Sequence, residues 1–365
     1  YLDRGYAAGE GLIDGQDDST YGWDLDGEGY HEGTGYLPYT AERGWARSGN
    51  ETVHKTDGRN LIIHAGNGME VFGGNLYVSG QIRDGGRTNR AGLDPRRQYF
   101  AGMDAEEAAF DRENHRIGAG NFEQVSMMWN GSFPMERGTL YTFGGFNSRD
   151  GESGCYYRRA QDNRTLRAWY PDGFLPLISP TLSDKSMAIG MKGLMGDYAY
   201  DLSVNTGSND FQWGMKDSHN ATYGTGPDQQ SEFDLGTLGY SQTTINFDVT
   251  TQMDMEGFAG PVSLAMGAEM RMENYTIEAG EEAGYADGGF DVLDGPNAGA
   301  SAAVGCQCLP GLAPNNEQDR DRDAFSVYVD AEADVLDNLL VNVALRTENY
   351  SDFGQTTNGK VAMRY

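Results

Sequence analysis

Residues 261–273 read PVSLAMGAEMRME, and this stretch decides the fold because two kinds of side chain alternate strictly along it. One set is apolar: Val262, Leu264, Met266, Ala268, Met270 and Met272. The set between them is polar or small: Ser263, Ala265, Gly267, Glu269, Arg271 and Glu273. A strand rises about 3.3 Å per residue, so the run spans on the order of 40 Å, enough to cross an outer membrane even when tilted. The pattern predicts a long β-strand with one oily face and one wet face.

Similar strands recur along the chain. The period-two pattern returns in residues 244–250, 323–333 and 339–347, and shorter strand-like runs cover 60–65, 74–83, 122–129, 138–147, 186–194 and 198–205. Short connections at 195–197 and 334–338 contrast with long polar ones at 87–121, 150–184, 207–239 and 280–322. Short turns at one rim and long loops at the other are typical of outer-membrane barrels. We therefore predict an all-β fold, an antiparallel up-and-down transmembrane β-barrel with long extracellular loops.

Composition narrows the class of protein further. The chain has 365 residues, of which 52 are glycine, and a formal net charge of -28. No segment approaches eighteen consecutive apolar residues, which excludes a helical membrane protein. The acidic balance disfavours a nucleic-acid partner, because phosphate binding requires clustered Lys and Arg. The 21 tyrosines and 5 tryptophans suit the aromatic girdles of a barrel in outer-membrane lipid.

The chain divides into two parts. Residues 1–58 are rich in Gly, Asp and Tyr without a sustained period, and we predict a loop-rich N-terminal part there. Residues 59–365 hold the strands and loops of the barrel. The Asp spacing near Asp14 hints at a calcium loop, but Leu25 occupies the twelfth position, where such a loop needs Glu. No metal site is predicted.

The chain has three cysteines, two of which are separated by a single residue. Cys306 and Cys308 flank Gln307, and cysteines this close bridge each other only with strain. A metal site needs further ligands, and no second Cys or His cluster lies nearby in the sequence. We interpret the two as loop thiols, or as partners for groups outside this chain.

Several loop phrases together resemble a known family. They are RTNRAGLDPR at 87–96, DGES at 150–153, YYRR at 156–159, YPDGFLP at 170–176 and NYSDFG at 349–354. In this order the chain is similar to the barrel of a TonB-dependent outer-membrane receptor, from about residue 57 to residue 365. The resemblance implies a bacterial outer-membrane importer, in which a barrel encloses a plug and a TonB-type periplasmic partner pulls on that plug to admit a scarce ligand.

The resemblance also implies that the chain is a partial barrel. The plug would precede the barrel and further strands would follow residue 365, and neither is found in this sequence. A rival interpretation rests on Val361, Met363 and Tyr365, which alternate with Ala362 and Arg364 as at the end of complete barrels. A complete chain would form a smaller barrel of roughly a dozen strands without a plug.

The candidate site residues fall into three groups. No catalytic constellation is found, because the five histidines are scattered and no Ser or Cys has a base at a recognisable spacing, so we predict no enzyme and no cofactor. Ligand-binding candidates are the loop residues richest in aromatic and guanidinium groups: Arg96, Arg97, Tyr99, Phe100, Tyr156, Tyr157, Arg158, Arg159, Trp169 and Tyr170. The alternative is that they only hold the long loops together. Glu269, Arg271 and Glu273 are predicted to face the lumen and form charge ladders with neighbouring strands.

Three functions remain open on this sequence. The first is active uptake of a ferric siderophore, another metal complex or a saccharide. The second is a passive porin-like channel formed by a short complete barrel. The third is a surface scaffold that transports nothing. Loops vary freely on a common barrel, so the sequence does not name the ligand.

Overall fold

The computed structural model describes residues 56–94 and 96–365, which form a barrel-like antiparallel sheet. The strands are β1 (Asn60–Val71), β2 (Gly74–Gly85), β3 (Asn121–Met135), β4 (Gly138–Gly154), β5 (Arg158–Arg159), β6 (Gly173–Phe174), β7 (Leu177–Ile178), β8 (Thr181–Met195), β9 (Tyr198–Lys216), β10 (Phe233–Met253), β11 (Val262–Ala279), β12 (Gln318–Leu336), β13 (Leu339–Tyr350) and β14 (Gly354–Arg364). The helices are α1 (Asp104–Ala109) and α2 (Glu282–Tyr285), with 3₁₀ turns at Ala221–Tyr223 and Pro314–Asn316. The predicted all-β fold class is confirmed.

Two sequence-based predictions concern residues that the structure does not describe. Residues 1–55 lie outside the described residues, so the predicted loop-rich part and the possible calcium loop near Asp14 stay predictions. Within the described residues, no helix has the length and apolar character needed to span a membrane.

The long strands follow one another around the sheet in chain order. Each pairs with its sequence neighbour, and β7 joins β4 to β9 beyond the end of β8. The strands β5 and β6 form a separate pair. The connection between β1 and β2 consists of Phe72 and Gly73, both at positive φ, as a two-residue hairpin of this twist requires. This is the predicted up-and-down layout.

Several strands are longer than predicted at the rim that carries the long loops. Residues 198–205 belong to a strand that continues to Lys216, and residues 244–250 to one that begins at Phe233. The predicted loops at 150–184, 207–239 and 280–322 are correspondingly too long, which corrects the sequence analysis. The β9 extension begins within NTGSND at 205–210, which is polar on both faces, so backbone pairing continues there although the hydrophobic pattern is interrupted.

The strand register determines which side chains share each face of the sheet. Met270 lies opposite Ile245 on one side and Phe325 on the other, whereas Glu269 lies opposite Asn246 and Ser326. The face of Met270, here called the apolar band, also carries Val125, Trp129, Met187, Ile189, Val204, Phe247, Met266, Val329 and Leu345. Phe325 is 55% exposed and Met270 is 44% exposed, so these side chains stand out from the sheet uncovered. The opposite face, here called the wet face, is polar.

The described strands form an open sheet. The edges are β1 and β14, each paired with one neighbour, and they do not pair with each other. Within residues 56–94 and 96–365 the strands therefore do not form the short closed barrel that was the rival interpretation of the sequence.

The long connections gather at one rim. They are the segments 86–120, 155–180, 217–232 and 280–317, here called the loop layer. At the other rim the connections shrink to pairs such as Glu136 and Arg137, or Asp337 and Asn338, with a longer one at 254–261. The predicted asymmetry between the rims is present.

Candidate functional site

The loop layer has its own buried core and a disulfide. At its base Cys306 packs with Phe233 and with Met215 and Leu235, which lie at the ends of β9 and β10 and are each 1% exposed. Within the layer itself Leu166 and Phe174 are 5% and 4% exposed. Cys155 is bonded to Cys308, which joins the segments 155–180 and 280–317 across 153 residues of sequence. The interpretation of Cys308 as a loop thiol or a partner for an external group is therefore wrong.

Cys306 is a free thiol inside the layer. Its Sγ donates a hydrogen bond to the Leu309 carbonyl at 3.0 Å, and it is buried. Burial, with a smaller effect from the Glu281 carboxylate, raises the pKa of the Cys306 thiol to about 12. The thiol therefore stays protonated and unreactive at neutral pH.

Arg96 is one of two buried arginines among the candidates, together with Arg158. Its guanidinium donates to Asp94 Oδ2 at 2.7 Å and lies 4.6 Å from the ring centroid of Tyr156. Burial opposes ionisation of Asp94, but the Arg96 hydrogen bonds outweigh it and lower the pKa of the carboxyl to about 2. Arg96 thus fastens two loop segments to each other.

Two tyrosines converge on one aspartate. The Tyr99 hydroxyl donates to Asp172 Oδ1 at 2.5 Å, and the Tyr157 hydroxyl donates to the Asp172 carbonyl at 2.9 Å. Both tyrosines are buried, and this burial raises the pKa of each phenol well above its usual range. Both stay neutral donors; Tyr99 holds segment 86–120 against segment 155–180, and Tyr157 closes a contact within the second segment.

The remaining arginines also make contacts within the layer. Arg97 donates to the carbonyls of Tyr99 and Phe100 at 3.0 and 3.1 Å. Arg158 is buried and donates to Gln307 Oε1 at 3.1 Å, across to the last loop segment. Arg159 donates to the Arg97 carbonyl at 3.2 Å.

An aromatic stack stands beside them. The ring of His219 lies 5.3 Å from the Tyr170 ring and 4.5 Å from the Phe174 ring, centroid to centroid. Its Nε2 is 2.8 Å from the Arg164 carbonyl, whereas its buried Nδ1 has no hydrogen-bond partner within the described residues. Burial lowers the pKa of His219 to about 4, so the stack contains a neutral imidazole at physiological pH.

Only part of the predicted ligand-binding set is exposed at the surface. Tyr156 is 55% exposed and Trp169 is 39% exposed. Arg96, Tyr99, Tyr157 and Arg158 are buried, and Arg97, Phe100, Arg159 and Tyr170 are partly buried. The structure brings the set together in one layer, where most members hold loop segments to each other.

The predicted charged residues of β11 lie on the wet face in a ladder. Glu269 pairs with Arg271 at 3.0 Å and with Arg346 at 3.1 Å. Glu273 accepts from Arg322 at 2.6 Å and from the Tyr240 hydroxyl at 2.5 Å. The acids and cations alternate across β11, β12 and β13, so this part of the wall is closely charge-balanced.

A second polar row was missed by sequence reasoning. Gln124 Nε2 donates to Asn147 Oδ1 at 2.7 Å, and Asn147 Nδ2 donates to Asp184 Oδ2 at 3.0 Å. Asn209 Nδ2 donates to the other Asp184 oxygen at 2.6 Å. The row crosses β3, β4, β8 and β9 on the wet face. Asp184 and Asn209 lay in predicted loops, so their alignment gave no signal in the sequence.

Metal ligands do not assemble in this part of the chain. Among residues 56–94 and 96–365, no group of three or more His, Cys, Asp or Glu side chains is arranged to hold a metal ion.

Comparison with known proteins identifies the fold. No family model matches the chain, and no curated protein sequence matches it. A point mutant of the ferric enterobactin receptor PfeA from Pseudomonas aeruginosa aligns with 85% of this chain and 39% of its own, at 10% identity and a TM-score of 0.50. PfeA in complex with BCV-L6 aligns with 85% of this chain and 40% of its own, at 11% identity and a TM-score of 0.50.

The chain thus spans about two fifths of the length of these solved structures. At such low identity the likeness concerns the fold alone. It agrees with the resemblance of the loop phrases and with the open antiparallel sheet. The chain has the fold of the β-barrel of TonB-dependent outer-membrane receptors.

Proposed function

We propose that this chain is part of the barrel of an outer-membrane active-transport receptor. The receptor imports a scarce nutrient with energy from a TonB-type periplasmic partner. The observation that carries the proposal is the division of the same long strands into an uncovered apolar band and a polar wet face. A bilayer covers such a band, and a water-filled or plugged lumen suits such an inner face.

The loop layer supports the same function. It lies at one rim, and its disulfide suits a compartment outside the reducing cytosol. Its buried core fixes the segments, so the exposed rings of Tyr156 and Trp169 are presented on a rigid base. We assign ligand contact to these two rings, because they are exposed whereas the other candidates are buried or partly buried.

The imported nutrient is a metal chelate or a saccharide. The aligned receptor is named for ferric enterobactin, which is a chelate, so ferric enterobactin is one of the probes. The TonB-type partner follows from the family resemblance, in which it acts on a plug inside the barrel.

Uptake by cells that make the full-length protein tests the proposal. The probes are labelled ferric enterobactin, ferrichrome, maltoheptaose and xylopentaose. We expect at least one probe to accumulate, and accumulation to stop when a protonophore collapses the inner-membrane gradient. Entry that continues without the gradient would identify a passive channel instead, and absence of uptake for every probe would favour a scaffold.

The assigned rings are tested in the same cells. Combined Tyr156→Ala and Trp169→Ala substitutions should raise the half-saturating probe concentration by about fivefold or more, since each aromatic contact contributes about 0.5–1.5 kcal/mol. Phe353→Ala is the control, because Phe353 is about as exposed as Tyr156 and lies at the same rim, but belongs to the short β13–β14 connection outside the loop layer. Equal responses of the two variants would remove the assignment.

A further inference from the structure

A cavity of about 590 Å³ lies on the wet face next to the loop layer. Its lining includes Asn147, Asp184 and Asn209, which form the polar row, and Gly145, Gly207 and Tyr240. We call it the wet-face trough. Its volume is within the range of small-molecule sites.

Two glycines open the trough. Gly145 and Gly207 flank Ser186 in one row across β4, β8 and β9, and neither has a side chain to fill the space. A Cβ at Gly207 would lie 3.4 Å from the Lys185 carbonyl oxygen, which is ordinary contact, and its φ is not in the left-handed region. The concavity at Gly207 therefore results from the missing side chain and not from an unusual backbone.

The polar row retains unused hydrogen-bonding capacity. An ionised carboxylate offers about four acceptor positions, and Asp184 uses two of them for Asn147 and Asn209. Each of these amides keeps a second N–H. Adjacent donors and acceptors in one line match the vicinal hydroxyls of a sugar, each of which both donates and accepts.

An aromatic ring completes the surface. Tyr240 is 41% exposed, and its hydroxyl is held by Glu273 at 2.5 Å. A ring fixed in this way offers an apolar face against which the C–H face of a sugar packs.

The charge of the trough favours an uncharged saccharide over an anionic chelate. None of the wet-face side chains that line the trough is cationic: Lys185, which contributes to the lining, pairs with Phe146 and so belongs to the opposite face of the sheet. The nearest wet-face cation along β4 is Arg149, which lies 4.1 Å from the centre of the Phe122 ring. A multiply charged anionic chelate would meet the Asp184 carboxylate without a counter-charge in the trough.

We propose that the wet-face trough binds an uncharged, hydroxyl-rich ligand, namely a saccharide chain, as the substrate of the importer. This inference rests on the proposed function and names the substrate class that the wall of the barrel selects. Asp184, Asn147 and Asn209 bind the hydroxyls, Tyr240 packs against the ring, and Gly207 leaves the space.

Equilibrium binding to the purified full-length protein tests the trough without requiring transport. The probes are maltoheptaose, cellopentaose, xylopentaose and laminaripentaose, with ferric enterobactin as the anionic comparison. We expect one or more oligosaccharides to bind, and Gly207→Leu to weaken that binding about tenfold or more by filling the trough. Asp184→Asn, which removes acceptor capacity but keeps the shape, should weaken it about fivefold.

The matched control is Gly68→Leu. Gly68 lies on the wet face of β1, and a Cβ there would have only the Tyr77 ring within reach, at 3.9 Å. Its binding should equal that of the parent protein. Failure of all four oligosaccharides to bind, or equal binding by Gly207→Leu and Gly68→Leu, overturns the trough. If ferric enterobactin is nevertheless taken up with energy from the gradient, the importer proposal is retained and its substrate is a chelate instead of a saccharide.

Discussion

The loop layer and the strand wall, by which we mean β1–β4 and β8–β14, bury their apolar side chains in opposite ways. In the loop layer Leu166 and Phe174 are 5% and 4% exposed, as in the core of a water-soluble domain. In the strand wall Phe325 and Met270 remain 55% and 44% exposed, because their face of the sheet has no protein against it. One region is completed by its own side chains, whereas the other needs a lipid solvent.

The difference teaches where stability comes from in each region. The wall is held by continuous antiparallel pairing, and its apolar band adds stability only inside a bilayer. The layer has little regular pairing, since β5, β6 and β7 have two residues each. It depends on the disulfide, buried ion pairs such as Asp94 with Arg96, and the stack around His219. Perturbations should therefore affect one region and spare the other.

Removal of the disulfide should have the largest effect. In the double variant Cys155→Ala and Cys308→Ala, the layer should lose about 4 kcal/mol, because the bond closes a loop of more than a hundred residues. Pulse proteolysis in urea measures this loss as faster cleavage within segments 155–180 and 280–317. Heat-modifiable migration of the barrel on gels should stay unchanged.

Cys306→Ser is the matched control for that experiment. Cys306 is as buried as the core around it but forms no disulfide, and a serine hydroxyl can still donate to the Leu309 carbonyl. Its cleavage rate should remain close to that of the parent. A double variant in which barrel and layer unfold together would contradict the independence of the two regions.

A charge on the apolar band should have the next largest effect. Ile245 lies mid-strand between Val204 and Met270, so Ile245→Arg places a guanidinium where lipid tails are expected. Such a charge near the bilayer midplane costs about 2–4 kcal/mol. Asn246→Arg, one residue along on the wet face opposite Glu269, should cost less than about 1 kcal/mol.

Equilibrium unfolding in lipid vesicles, followed by tryptophan fluorescence, compares these two variants. Proteolysis of the loop layer should be the same in both. A larger cost for Asn246→Arg than for Ile245→Arg would mean that the two faces have been assigned the wrong way round.

The same contrast explains what the sequence could predict. Strict alternation in 261–273 identified the wall, because a strand in lipid must turn every second side chain outward. Prediction failed where the hydrophobic pattern breaks, as in NTGSND at 205–210, which is polar on both faces although its backbone stays paired with β10. The row of Asn147, Asp184 and Asn209 was missed for this reason.

The loop layer was less predictable for a different reason. The selected segments pack together, as the contacts of Arg96, Tyr99 and Tyr157 show, but the burial of these side chains depends on contacts between residues far apart in sequence. The bond between Cys155 and Cys308 is the extreme case, because nothing local links cysteines 153 residues apart. A strand can be predicted from the pattern of adjacent residues. The packing of a loop depends on residues that are distant in the sequence.

Acidification should produce the smallest effect and should again select the loop layer. His219 has a pKa of about 4 in the folded layer because it is buried, against about 6.5 in an unfolded chain. The unfolded layer therefore binds the proton first, so stability is full above pH 6.5 and is lost as the pH falls towards 4. Between pH 6.5 and pH 5 the loss should be about 2 kcal/mol.

Hydrogen exchange of loop-layer amides, corrected for intrinsic rates, measures this loss. His219→Phe should flatten the pH dependence while keeping an aromatic ring against Tyr170 and Phe174. Burial also lowers the pKa of His115. The variant His115→Gln therefore measures how much of the loss of stability on acidification comes from His115. The strand wall should show no matching change in that window. An unchanged slope in His219→Phe would mean that this imidazole does not couple pH to the layer, and that its neutral form is not required for the stack to hold.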